Sequence, residues 1–504
     1  MTRTESAADI DGGRSILRRA QRAARDYATY DRERVLHIVR TVADAAYRSA
    51  ASFAEQAVVE GGFGVVADKV SKNQMIAGKF LEQYGGVDYC AHRVDASAGL
   101  LLTPRPAGVV LAITPATSPV AAVYFKVLCA LLTRNAVVVS PHPSLAGTCA
   151  DATRLLASAA AAAGAPADIV QVIERPTIPL VEALMADECT NLILATGGGA
   201  VVRAAYSSGN PAIGVGPGNP PVIVDETADL RNAAECIVES KRFDSSVLCT
   251  AESVLYAVDS IAAPLLDKLR KAGAHICTSR EALRIREFVY PGGNLNTKAV
   301  GRSAVSLAAD AGITVSPRTK LLVASIERTV SEEPLTHEKL CPLLAFEEVP
   351  DFGTALREAR ALVDIVGLGH SAVIHTTKPQ RVLDLSVGMP VHRITVNAPG
   401  SLGNAGFGTG LPMTMSVGTG FVGGSSSGDN LSPEHLVQWC RTAYADSAVF
   451  PDFTSMRPSL PTPVSHSASL GPIEQRDSSD AVGAIREELR RLVLEELHNL
   501  IGTR

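Results

Sequence analysis

Several features are scarce in this chain, and each shortage removes a class of function. No stretch approaches the roughly 18 uninterrupted apolar residues of a membrane-spanning helix; PVAAVYFKVLCALLT is broken by Lys126. The N-terminal MTRTESAADIDGG carries no apolar core of signal-peptide type. The expectation is an intracellular, cytoplasmic protein with no membrane partner. There is no dense Lys/Arg stripe and the formal net charge is −5, which argues against a nucleic-acid partner. The nine cysteines are scattered, odd in number and never spaced as CxxC. Neither a disulfide framework nor a structural zinc or other metal is expected, and most cysteines should be reduced, buried, small hydrophobes.

The composition is that of an ordinary globular protein, 46% hydrophobic and 20% charged, and 504 residues suffice for two or three lobes. Residues 14–60 repeat apolar residues at three- and four-residue spacing, which predicts amphipathic helices. Residues 86–106 break that pattern and predict an extended hairpin. From residue 107 strands and helices alternate: GVVLAIT, AVVVSP, IVQVI and NLILA read as strands, with helices over 119–133 and 144–163. A second alternating series follows Cys249, through SVLYAV, HICT, KLLVAS, LLAFEEV, SAVIHT and RITVNAP. Two doubly wound α/β lobes with parallel sheets are predicted. After about residue 446 the composition turns Pro- and Ser-rich, as in a flexible linker. Then Val482, Ile485, Leu489, Leu492, Val493, Leu497 and Leu500 form one apolar helical stripe.

Three turns and one cysteine could carry chemistry. In NLILATGGGAVVRAAYSSG a strand runs into Thr196, Gly197, Gly198 and Gly199 before a helix, where backbone can approach an anion at the helix N-terminus. The spacing is not GxGxxG, so the dinucleotide fingerprint is absent. GVGPGNPPVIVDETADL, residues 214–230, is read as a loop, including Gly216, before the strand PVIV. PAGVVLAITPATSPVAAV ends a strand in Thr114 and Pro115, with Thr117 and Ser118 at the start of a helix. Hydroxyls and free N–H groups would converge there, at a strand's carboxyl end. FDSSVLCTAES places Cys249 in a polar turn between a helix and a strand.

These stretches, in this order, resemble the aldehyde dehydrogenase superfamily over roughly residues 15–445, and more closely its CoA-acylating branch. That branch includes the acetaldehyde and propionaldehyde dehydrogenases of bacterial microcompartments. The resemblance implies that Cys249 is the nucleophile, forming a thiohemiacetal and then, after hydride transfer, a thioester. NAD and coenzyme A are the implied cofactors. Glu338, in HEKLCPLLAF, falls where the family holds the nicotinamide ribose, and His142 where the acylating branch carries His-Pro. Hydrolytic members carry a water-activating Glu in the loop that reads IGVGPGN here, which has no acid. That favours thiolysis. The oxyanion donor is left open between Thr117 and Ser118, because the branch usually has Asn where Ser118 stands. How a thiolate would arise at Cys249 is also left open.

The resemblance implies an NAD-binding domain over 1–235 including an oligomerisation hairpin at 86–106, a catalytic domain over 236–425 and an oligomerisation segment over 426–446. A linker over 447–480 and an amphipathic helix over 481–504 complete the chain. The hairpin and the segment near 431–446 should join strands between subunits of a dimer or tetramer. The terminal helix resembles the encapsulation peptides that dock cargo to microcompartment shell proteins, which would place the enzyme inside such a compartment. Its substrate would be propionaldehyde or a similar short-chain aldehyde. A hydrolytic enzyme and a non-catalytic scaffold on this fold are the alternatives.

Overall fold

In the computed structural model, residues 7–445, 449–453 and 456 are described. The first 84 residues form four helices: Ala7–Tyr27 (α1), Arg32–Arg48 (α2), Ala50–Gly61 (α3) and Val66–Tyr84 (α4). Asp31 caps α2 by accepting from the Arg34 backbone N–H at 2.9 Å. Val35, Ile38, Val39, Val42 and Ala46 then fall on one buried stripe, as the three- and four-residue spacing predicts.

A hairpin of Arg93–Asp95 (β1) and Leu100–Pro106 (β2) leads into the first α/β lobe. Its strands are Val109–Ile113 (β3), Ala136–Ser140 (β4), Val170–Val172 (β5), Leu192–Thr196 (β6) and Ala212–Val215 (β7). All pair in parallel, in the order β5-β4-β3-β6-β7. The intervening helices are Pro119–Leu132 (α5), Ala146–Ala162 (α6), Ile178–Met185 (α7) and Gly199–Ser207 (α8). Every residue of β3, β4 and α5 is buried, because helices cover both faces of the sheet. The chain winds outward from β3 to β5, then returns to β3's other side with β6. That reversal opens a crevice at the strands' carboxyl ends, where such sheets bind ligands.

The second lobe contains Pro221–Val224 (β8), Val254–Val258 (β9), Ala274–Ile276 (β10), Leu321–Ser325 (β11), Leu343–Val349 (β12), Ala372–His375 (β13) and Ile394–Val396 (β14). These seven are parallel, in the order β10-β11-β12-β9-β8-β13-β14. β9 shows why both faces are apolar: Val254 and Tyr256 enter one core, Leu255 and Ala257 the other. The helix Leu230–Arg242 (α9) lies on the second of these faces.

One expectation is corrected. IGVGPGN is only partly a loop, since Ile213, Gly214 and Val215 pair with β6 as part of β7. The change of sheet falls between β7 and β8, since β8 pairs with β9 and β13. Val437–Ala443 (β15) runs antiparallel to β2 of the hairpin, from Val437 opposite Pro106 to Ala443 opposite Leu100. Before reaching β15 the chain returns to the first lobe, where Met413, Leu431 and Leu436 join its core.

Among the described residues, no helix is long and apolar enough to cross a membrane. The apolar stripe at 482–500 and most of the linker lie outside the described residues.

Candidate active site

A cleft of about 620 Å³ opens at the carboxyl ends of β3, β4, β6 and β7 and is closed from the second lobe by Val247, Cys249, Glu338 and Leu340. Thr114, Pro115, Thr117, His142, Thr196, Gly197, Gly198 and Gly216 all line it with Cys249 and Glu338. Ser118 does not. It precedes α5, is 4% exposed, and its Oγ accepts from the buried Lys72 Nζ at 2.9 Å. Of the two adjacent hydroxyl residues, Thr117 is therefore the one at the cleft.

The cleft floor is held by groups at the strand ends. The Thr114 N–H donates to the Ser140 carbonyl at 3.0 Å, joining the ends of β3 and β4. Lys126, fully buried in α5, donates to the carbonyls of Ile113 (2.5 Å) and Leu194 (3.0 Å) and to Thr196 Oγ1 (2.9 Å). Burial lowers its pKa to about 7. A Cβ built on Gly198 or Gly216 would meet no protein atom within 4 Å, so the space beside both is free for a ligand. Gly198 precedes α8, whose first N–H groups have no partner inside the helix and suit an anion. His142 Nδ1 lies 2.8 Å from Ser144 Oγ, and burial lowers the pKa of its imidazole.

Cys249 is presented by a strained turn. After α9, Asp244, Ser245 and Ser246 take φ of 47°, 53° and 60°, three successive non-glycine residues in the left-handed region. Each costs about 1–2 kcal/mol, so the surroundings must hold the turn. His370 Nε2 lies 3.3 Å from the Cys249 sulfur, and His370 Nδ1 lies 2.9 Å from Ser371 Oγ. The buried Arg393 donates from Nη1 to the His370 carbonyl at 2.7 Å and from Nη2 to the carbonyls of Gly418 (2.5 Å) and Gly428. Gly218 packs against the Cys249 backbone carbonyl and the His370 ring. A Cβ there would sit 2.1 Å from the Cys249 carbonyl oxygen and 2.8 Å from His370 Cε1. The Gly218 N–H donates to Glu338 Oε1 at 3.2 Å.

The surroundings favour the neutral forms of Cys249 and His370. Burial, then the nearby Glu338 carboxylate, push the Cys249 thiol up to about 12, against the pull of Arg393. Burial and the Arg393 charge push His370 down to about 3. Burial raises Glu338 to about 7, opposed by the Gly218 N–H, Lys241 and Lys339. The resting pair is thus a neutral thiol facing a neutral imidazole.

A profile of the aldehyde dehydrogenase family matches residues 3–283. The acylating sulfoacetaldehyde dehydrogenase of Cupriavidus necator is 34% identical over 444 residues, covering 87% of this chain and 90% of that protein. The chain belongs to the aldehyde dehydrogenase family. Within it the likeness is to the acylating branch. The bifunctional aldehyde-alcohol dehydrogenase of Escherichia coli K12 is 37% identical over 429 residues, covering 84% of this chain and 48% of that protein, so the chain spans about half the length of this relative. The acetylating aldehyde dehydrogenase of Geobacillus thermoglucosidasius superposes with TM-score 0.86 at 35% identity over 87% of this chain and 97% of that one. A propionaldehyde dehydrogenase from a Clostridium phytofermentans fucose-utilisation microcompartment gives TM-score 0.78 at 29% identity, covering 85% and 96%. The propionaldehyde dehydrogenase of Rhodopseudomonas palustris, solved with CoA and an acylated cysteine, gives TM-score 0.78 at 27% identity, covering 86% and 97%.

Reading the family pattern along the sequence finds Cys249 and Glu338 and misses His370, Arg393 and Lys126 as parts of the site. His370 lies 121 residues from Cys249 and is one of eleven histidines. Lys126 did leave a signal, a lone charge inside an apolar helix, which reads simply as an interruption.

Proposed function

We propose that this protein is a CoA-acylating, NAD-dependent aldehyde dehydrogenase for a short-chain aldehyde. The observation that carries the reading is His370 Nε2 at 3.3 Å from the Cys249 sulfur, at the inner wall of the cleft. Cys249 attacks the aldehyde carbon as His370 takes the thiol proton, an assignment supported by the 3.3 Å between them. The Cys249 backbone N–H and the Thr117 hydroxyl are the donors assigned to the resulting oxyanion. Bound NAD would supply the hydride acceptor, which would leave a thioester on Cys249. Glu338 is assigned to the nicotinamide ribose, and the Thr196–Gly199 turn and the α8 N-terminus to the pyrophosphate.

His370, having released its proton, takes another from the CoA thiol. CoA sulfur then attacks the thioester and Cys249 leaves as thiolate, which regains that proton. The segment 216–220 ahead of β8 contains no acid that could activate water in its place. Among the described residues no Lys or Arg lines the cleft, so a ribose 2′-phosphate would find no cationic partner there, which supports NAD over NADP.

The cargo role rests on the tail. A partner is assigned to the apolar stripe at 482–500, a microcompartment shell protein that would bury it in a groove. A homodimer or tetramer is assigned to the exposed edges of the β1-β2-β15 sheet.

The deciding experiment supplies short-chain aldehydes with NAD or NADP, with and without CoA, and detects acyl-CoA by mass. Acyl-CoA formed with NAD is the expected product. Steady NADH production without CoA, giving free acid, would overturn the acylating reading. Deleting residues 447–504 should leave this activity and abolish co-purification with shells; loading of the truncated enzyme would refute the role of the tail.

A further inference from the structure

Behind the wall of the cleft lies a buried cluster of charge that touches neither reacting atoms nor cofactor space. Asp244 is fully buried, and Lys69 and Lys72 are 4% and 2% exposed. Asp244 Oδ2 accepts from Lys72 Nζ at 2.6 Å and from Lys69 Nζ at 3.0 Å, while Oδ1 accepts from the Val65 N–H at 2.8 Å. The Asp244 N–H donates to Asp68 Oδ2 at 2.8 Å. None of these residues lines the cleft.

Asp244 is remote in sequence from the two lysines. Lys69 and Lys72 sit on α4, one turn apart. Asp244 opens the left-handed turn that presents Cys249. Lys72 makes one further bond, to Ser118 Oγ at 2.9 Å, in the turn that brings Thr117 to the cleft. One ammonium therefore ties the turn carrying the nucleophile to the turn carrying the assigned oxyanion donor. Two buried cations on one buried carboxylate need a structural reason, since removing charges from water is costly. The strained turn supplies one, because three left-handed residues revert unless their surroundings hold them.

We propose that Lys72, braced by Lys69 and Asp244, is a positioning residue that sets the separation between Cys249 and the Thr117 turn. The inference rests on the assignment of Cys249 as nucleophile. Its signature is a loss in the acylation step without a loss in dinucleotide binding, because the cluster lies away from the cofactor cleft.

The test measures the CoA-free burst of NADH, which reports acyl-enzyme formation, together with the NAD dissociation constant and the melting temperature. The enzymes are wild type, Ser118→Ala, Lys72→Met and the double variant. Each single variant should slow the burst by about 10- to 100-fold, the scale set by an ångström of misalignment. NAD affinity should stay within about twofold. The double variant should be no slower than Lys72→Met alone, because both changes break one link. A Ser118→Ala enzyme with a wild-type burst overturns the proposal, and that variant decides the matter if Lys72→Met does not fold. Losses that multiply, or a burst that falls in step with NAD affinity and melting temperature, also overturn it. A wild-type enzyme lacking CoA-dependent turnover would instead refute the functional reading itself.

Discussion

The ionisation of Cys249 can be measured directly, because only the thiolate reacts with iodoacetamide. Burial and Glu338 hold the thiol at about 12, and Arg393 only partly offsets them. Far below its pKa the thiolate fraction rises tenfold per pH unit, so alkylation of Cys249 should accelerate about 100-fold between pH 8 and pH 10. A thiol with an ordinary pKa near 8.5 would gain only about fourfold over the same interval, and a cysteine–histidine ion pair would show almost no change. Starting at pH 8 avoids the titration of Glu338 near 7, whose growing negative charge would flatten the lower part of the profile. Cys440 is exposed and Cys90 and Cys236 are partly so, so the label must be followed on the peptide carrying Cys249. Glu338→Gln should speed labelling at pH 8 by removing the adjacent negative charge, and Arg393→Met should slow it. A rate that levels off below pH 9, or labelling indifferent to both substitutions, would refute the neutral-pair account.

His370→Ala should lower the CoA-free burst rate by about 10²- to 10⁴-fold, the usual contribution of a general base, in stopped-flow measurements of NADH. Gly218→Ala places a methyl group 2.1 Å from the Cys249 carbonyl oxygen and should cost about 100-fold in kcat with a folded, NAD-binding enzyme, as judged by calorimetry and turnover. Asp244→Ala leaves Lys69 and Lys72 buried without their carboxylate and should destabilise the protein by about 3–5 kcal/mol in denaturant unfolding.

What could be read from the sequence divides along physical lines. β3, β4 and β6 are legible because parallel strands covered on both faces are near-continuous apolar runs. β7 escaped notice because Gly214 interrupts it and Gly216 and Pro217 follow directly, so local chemistry reads as a turn although pairing with β6 makes it a strand. The change of sheet at β8 is not legible because β8 continues the strand–helix rhythm, and rhythm does not reveal which sheet a strand joins. Cys249 and Glu338 were found because their flanking motifs are local. Which of Thr117 and Ser118 faces the cleft depends on how α5 begins and on Lys72, a residue 46 positions away from Ser118. His370, Arg393 and the Lys69–Asp244–Lys72 cluster become a site only when distant segments meet, and no spacing rule announces them.

The return of the chain from the second lobe to the first has a consequence for synthesis. Met413, Leu431 and Leu436 belong to the same core as Leu17 and Val39, so that core cannot close until the ribosome has delivered residue 436. At roughly 5–20 residues per second, the first lobe waits about 10–45 s after β7 is made with part of its apolar interior uncovered. A nascent chain in that state is a client for chaperones rather than a domain that folds as it emerges. The same wiring limits engineering. A first lobe cut at the junction between β7 and β8 would lack the returning core residues and the β15 strand beside β2, so any transplant has to carry residues 407–443 as a second piece.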